Sequence, residues 1–103
     1  MKPVVLSQLA ESDLDAIWEF IALDSTDAAD RVLGEIEKAF LHLSRNPTLG
    51  HFREDLADKR HRFLLVFSYL IVYRVDTEAL SIARVLHGAR DVRALLADAR
   101  GDF

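Results

Sequence analysis

The sequence predicts an α+β domain of order βααβββ, an N-terminal helical hairpin packed on a small twisted antiparallel sheet. Three observations predict it. Two stretches, Ala10–Ile21 and Ala29–Leu43, place apolar side chains at helical spacing on either side of a polar break. After Arg62 the pattern changes to runs rich in β-branched and aromatic residues. Connections of one to four residues join those runs, too few for a parallel crossover, so they must pair as antiparallel neighbours.

Val4-Val5-Leu6 is β-prone, and Pro3 places it at a strand start or a sheet edge. Ser7 follows as a candidate N-cap whose hydroxyl accepts from the first helical turn. In the helix it starts, Ala10, Leu14, Ile17, Trp18 and Ile21 form the apolar stripe, with Glu11, Asp13, Asp15 and Glu19 mostly opposite. Asp24-Ser25-Thr26-Asp27 breaks the helix and offers a second cap. Ala29, Val32, Leu33, Ile36, Phe40 and Leu43 mark the next helix, which Asn46-Pro47 ends because proline excludes the α conformation from its predecessor. Thr48–Arg62 is polar, holds Gly50 and reads as a connecting loop with room for one irregular strand turn. Phe63–Phe67, Tyr69–Val75 and Leu80–Leu86 read as strands, punctuated by Ser68 and by Asp76-Thr77-Glu78. Val92, Leu95 and Leu96 suggest a terminal helical turn, and residues 100–103 are expected to fray.

The 103 residues allow one domain, taken as residues 1–103, and a 50% hydrophobic fraction is enough to fill one core. No apolar run approaches the ~18–20 residues of a membrane span. Polar residues follow Leu6 at once, so no secretory leader is expected. The absence of cysteine excludes disulfides and thiolate metal sites and makes the cytoplasm the expected compartment. A net charge of −4 disfavours a generic nucleic-acid coat, and no specific nucleic-acid binding by the chain alone is expected. The average hides an asymmetry: residues 1–44 carry three bases against nine acids, a net of −6, whereas residues 45–103 carry ten against eight, a net of +2. Two faces with different partners are implied.

The four histidines form no HExxH-type pair, so no metal and no other cofactor is expected. His42, His51 and His61 read as solvated or locally hydrogen-bonded. His87 directly follows the last predicted strand, Leu80–Leu86, and precedes Gly88-Ala89-Arg90-Asp91. Strict alternation would put it on the face of Ser81, Ala83 and Val85, with Arg84 on the face of Ile82 and Leu86. It reads either as a general acid/base or as a polar hinge, and the lack of a companion nucleophile favours the hinge. Arg53 and Lys59-Arg60-His61-Arg62 form a basic cluster that could bind phosphate. Glu54, Asp55 and Asp58 interrupt it, so a solvated loop that pairs internally is expected. Tyr69 and Tyr73 read as sheet packing, and Trp18 as core or as an interface anchor.

Taken in order, Ser7…Ala10…Asp13-Leu14…Ile17 and Ala29…Ile36…Leu43…Asn46-Pro47…Gly50 are similar to the front half of the RelE/ParE toxin superfamily. Tyr69–Tyr73 followed by Ile82-Ala-Arg-Val-Leu-His87-Gly88-Ala-Arg90-Asp91 resembles its ParE branch, which ends in a similar V-x-H-G-x-R-D stretch. The resemblance implies a helical hairpin against a twisted antiparallel sheet. It also implies a toxin of a type II toxin–antitoxin module, neutralised by a cognate antitoxin protein.

The resemblance also separates two mechanisms. In the ribosome-dependent mRNA endonucleases of the RelE type, basic strand residues and a terminal tyrosine do the chemistry. Here Leu70 and Gly88 stand where that pattern has Arg and Tyr, leaving His87, with Arg84 and Arg62 as the remaining catalytic candidates. The ParE branch implies inhibition of DNA gyrase by binding, hence no catalytic residues, and this is the preferred reading. An inactive antitoxin-binding relic is a third. On the preferred reading, Arg74, His87, Arg90 and Arg93 are expected to meet the target. A folding antitoxin tail is expected along Leu14, Ile17, Trp18, Ile21, Val32, Ile36 and Phe40.

Overall fold

The structure, a computed structural model, describes residues 1–53, 55, 59–88 and 94. Its elements are β1 (Val4–Leu6), α1 (Gln8–Ala22), α2 (Thr26–Arg45), β2 (His51–Phe52), β3 (His61–Val66), β4 (Tyr69–Val75) and β5 (Leu80–His87). Both helices start where the sequence placed their caps. The Ser7 hydroxyl accepts from the Ala10 amide at 3.0 Å and the Ser25 hydroxyl from the Ala28 amide at 3.1 Å. α2 ends at Asn46, whose amide closes the last turn on the His42 carbonyl.

The helical hairpin packs on one face of a five-stranded sheet of order β1-β5-β4-β3-β2. Ala10, Ile17, Ile36, Phe40 and Leu43 meet Tyr69, Ile71, Tyr73, Leu80, Ile82 and Val85 in one buried cluster. On the other face His61, Phe63, Val72 and Leu86 are buried too.

Three features depart from the sequence reading, and a fourth, β2, fills the irregular strand turn for which that reading left room. The sheet is mixed, because β1 runs parallel to β5 with Val5 opposite Ser81. Short connections constrain β3, β4 and β5, but the long chain between β1 and β5 leaves their relative direction free. Loop residues 51–52 form β2, which pairs with Arg62 and Phe63. His61, placed by the sequence in the polar loop, is instead the first residue of β3 and is buried opposite Arg74. Finally, β5 does not alternate strictly. Tyr73 faces Ile82 while Val72 faces Arg84, so Ala83 is an extra residue in a β-bulge. The bulge turns both Ile82 and Val85 into the helix-side core, which simple alternation forbids.

One phenol ties the exit of α2 to the sheet. Tyr73 is fully buried; its hydroxyl donates to the Pro47 carbonyl at 2.8 Å and accepts from the Gly50 amide at 2.7 Å. Burial pushes its pKa up, opposed by the Gly50 hydrogen bond and the nearby Arg62 charge. Gly50 is required by space alone, since a Cβ there would lie 2.6 Å from the Tyr73 hydroxyl and 2.9 Å from the Phe63 carbonyl. Tyr73→Phe leaves the buried Gly50 N–H without its acceptor and should lower unfolding free energy by about 1–3 kcal/mol, read by urea denaturation.

Candidate functional site

Among the described residues, the surface of the hairpin and sheet carries several recesses, three of which hold residues singled out in the sequence. The first is a groove of about 650 Å³ between α1 and α2. Leu14, Trp18, Leu33 and Gly34 supply its apolar part, and Glu11, Asp15, Asp30 and Glu37 its rim. Trp18 is tethered there by its indole N–H, which donates to Asp30 Oδ1 at 2.9 Å. Four of the nine acidic residues of positions 1–44 therefore line one groove.

The second recess, about 350 Å³, lies between α1 and the end of β5, where Ile17, Phe20, Tyr69, Val85 and His87 surround it. β1 covers β5 only from Leu80 to Ile82, so the rest of that edge needs other partners. α1 and its cap supply them. The Ser7 amide donates to the Ile82 carbonyl and the Ser7 hydroxyl to the Ala83 carbonyl. Asp13 then accepts from the Val85 amide at 3.0 Å and from Arg84 through Nε and Nη2 at 2.8 and 2.9 Å. Both side chains of this ion pair are largely buried, at 11% and 14% exposure. Asp13, read as part of the solvated acidic face, is instead an internal staple. At the mouth of the recess Phe20 is 74% exposed, and the His87 ring meets Tyr69 edge-on at 5.2 Å.

The third recess, about 450 Å³, lies where β3 begins and β4 ends, with Lys59, Arg60, Arg62, Arg74 and Phe52 around it. The Arg62 guanidinium lies 4.1 Å above the Phe52 ring and donates to the Gly50 carbonyl at 2.9 Å. Arg74 is held by both oxygens of Asp76, which also accepts from the Ser81 hydroxyl. Those bonds, Arg74 first and Ser81 next, hold the Asp76 carboxyl below the usual carboxylate range. Arg53 pairs with Asp55 at 3.0 Å, the internal pairing expected of the loop.

These positions separate the residues singled out in the sequence. Arg62 lies opposite Tyr73 and His87 opposite Tyr69. Four residue steps along β4 divide them, about 13 Å. Arg84 is engaged at Asp13, so Arg62, Arg84 and His87 do not converge on one reacting atom. Arg74 and His87 lie at opposite ends of β4, and Arg90 and Arg93 lie outside the described residues, as do Val92, Leu95 and Leu96. Of the hairpin positions, Ile17, Ile36 and Phe40 are buried in the core; Leu14, Ile21 and Val32 are half-buried and Trp18 sits at the surface. Phe20 does not fit the apolar stripe and nothing in the sequence marks it, whereas Asp13 stands in the acidic face and in the family pattern without its role being legible there. Asp13 lies one residue before Leu14 on the border of that stripe, the only trace the sequence offers of its role.

The comparisons with known proteins agree with this architecture. Residues 4–92 match the ParE toxin of the type II toxin–antitoxin system, parDE. The chain is 31% identical to Toxin ParE1 of Caulobacter vibrioides over 97 residues, covering 93% of this chain and 99% of that protein. It resembles a solved structure described as the chromosomal ParDE TA system from P. aeruginosa, with a TM-score of 0.72 at 22% identity, over 84% of this chain and 96% of that one. The fold and these matches define a toxin of the ParE class. The chain belongs to the ParE toxin family of type II toxin–antitoxin systems. Among the described residues, no helix is long and apolar enough to cross a membrane.

Two outcomes follow from the site geometry. Asp13→Ala removes an acceptor from Arg84 and from the Val85 amide and should cost about 3 kcal/mol in urea denaturation, as expected for breaking a buried pair. Glu11→Ala, on the exposed face, should change stability by less than about 0.5 kcal/mol. For Asp76 the folded pKa lies below the unfolded value, so its contribution is present above an unfolded pKa of about 4 and is lost as pH falls through the folded value. The stability difference between the wild type and Asp76→Asn should therefore shrink as pH is lowered from about 5 to below 3.

Proposed function

We propose that this ParE-family chain arrests growth in the cytoplasm by binding DNA gyrase and inhibiting it without cleaving RNA. Its cognate antitoxin neutralises it by seating a tail segment on the helical hairpin. The observation that carries this reading is the match to the ParE toxin family over residues 4–92. The separation of Arg62, Arg84 and His87 supports it against the ribonuclease alternative, whose proton transfers and phosphate stabilisation need groups around one scissile bond.

The antitoxin part draws on the relative described as a ParDE system and on the shape of the hairpin. A tail helix fits the groove between α1 and α2 through Leu14, Trp18 and Leu33, while Glu11, Asp15, Asp30 and Glu37 attract its Lys and Arg side chains. Ile17, Ile36 and Phe40 support this surface from beneath without touching the tail.

The test compares three readouts on one preparation. Purified toxin should block supercoiling by gyrase, and the antitoxin encoded beside it should restore supercoiling. Transcripts on translating ribosomes should stay intact. Cleaved transcripts with undisturbed supercoiling, and loss of that cleavage in His87→Ala, would establish the ribonuclease reading instead.

A further inference from the structure

We infer that Gly34 is the crossing point of the antitoxin's tail on the hairpin, where the backbone of a basic amphipathic helix approaches α2 closely. The inference rests on the hairpin seating proposed above and adds the residue that fixes where the tail lies. Gly34 stands near the middle of α2, where a glycine weakens a helix relative to alanine. Nothing within the described chain requires it. Its φ is not positive, and a Cβ built on it would meet no described atom within 4 Å. Gly50 is the opposite case, since a Cβ there would strike Tyr73. The open space over Gly34 belongs instead to the groove of about 650 Å³. A glycine that the fold does not need, on the floor of a groove, is accounted for by another backbone passing close to it.

The groove also states the chemistry of what passes. Glu11, Leu14, Asp15 and Trp18 of α1 face Asp30, Leu33, Gly34 and Glu37 of α2, each set spaced i, i+3, i+4, i+7 along one helical face. Both walls are helices whose backbone groups bond internally, so an extended segment finds no edge to pair with and a helix fits. Leu14 and Leu33, both half-buried, supply the apolar contact. The carboxylates of Glu11, Asp15 and Glu37 make no hydrogen bond or ion pair with the described residues, and Asp30 holds only the Trp18 indole. Glu11 and Asp15, one turn apart, are a like-charge pair that weakens α1 by itself. Like Gly34, they become favourable only when a cationic partner arrives. Their sign excludes a nucleic-acid strand and opposes a second copy of this chain seated groove to groove.

Isothermal titration of the full toxin with its cognate antitoxin, beside thermal unfolding of the toxin alone, tests the inference. Gly34→Ala should raise the Tm of the free toxin by about 4 °C, because a glycine leaves the helix interior. The same variant should bind antitoxin about tenfold more weakly, because the added methyl group holds the tail off α2. Gain of stability with loss of affinity in one variant separates a contact role from a structural one. The double variant Glu11→Lys/Glu37→Lys tests the seating itself and should weaken binding by about tenfold, most at low salt. Unchanged affinity in Gly34→Ala with weakened binding in the double variant would overturn the crossing at Gly34 and leave the tail on the hairpin. Unchanged affinity in both would remove the tail from the groove altogether, and the inference with it. A lowered Tm in Gly34→Ala would also overturn it, since the glycine would then serve the fold. Neither readout involves gyrase, so inhibition of that enzyme stands or falls separately.

Discussion

The arrangement of helices on sheet depends on the carboxylate of Asp13. A sheet edge presents unpaired backbone groups that must find partners or invite other strands. β1 is only three residues long and leaves most of β5 uncovered on that side. The first turns of α1 take over from the strand: Ser7 serves the Ile82 and Ala83 carbonyls, and Asp13 serves the Val85 amide while clasping Arg84. A helix thereby completes a sheet edge, across a sequence separation of more than seventy residues. The pair is mostly buried, so removing one partner costs far more than the pair adds to stability over an apolar substitute. Its main contribution is position: it fixes how far along β5 the hairpin sits.

That position sets the recesses on either side of α1. One face of the helix helps form the acidic groove with α2, and the other borders the apolar recess with Phe20, Val85 and His87. At the opposite end of the sheet, Tyr73 and Gly50 hold the segment after α2 against β3, and the Gly50 carbonyl in turn holds Arg62 over Phe52. The charge asymmetry of the sequence thus becomes spatial. Carboxylates line the hairpin groove, and cations gather where β3 begins. In a toxin of the ParE family, such a division suits a molecule with two partners that approach different faces.

Much of this was legible in the sequence, and the exceptions have physical causes. Ser7, Ser25 and Asn46-Pro47 act locally, within one helical turn, so both helices could be bounded from neighbouring residues alone. β4 and β5 carry enough β-branched and aromatic residues to be recognised without their partners. The direction of β1, the bulge at Ala83, the burial of His61 and the role of Asp13 are set by partners far along the chain. His61 is polar and follows a polar loop, so nothing local distinguishes it from a solvated residue. The basic cleft was visible as a charge run but not as a recess. Only folding brings Arg74, from another strand, to Lys59, Arg60 and Arg62.

Amide hydrogen exchange at Val85 tests most directly whether α1 completes the edge of β5. In the wild type the Val85 amide, donated to Asp13, should be protected to a degree comparable with the neighbouring core amides of β4. In Asp13→Ala the protection at Val85 should fall well below that of those amides, while the centre of β4 stays protected. Protection at Val85 that is the same with and without the Asp13 carboxylate would contradict the account, because the edge would then be closed by something other than the helix.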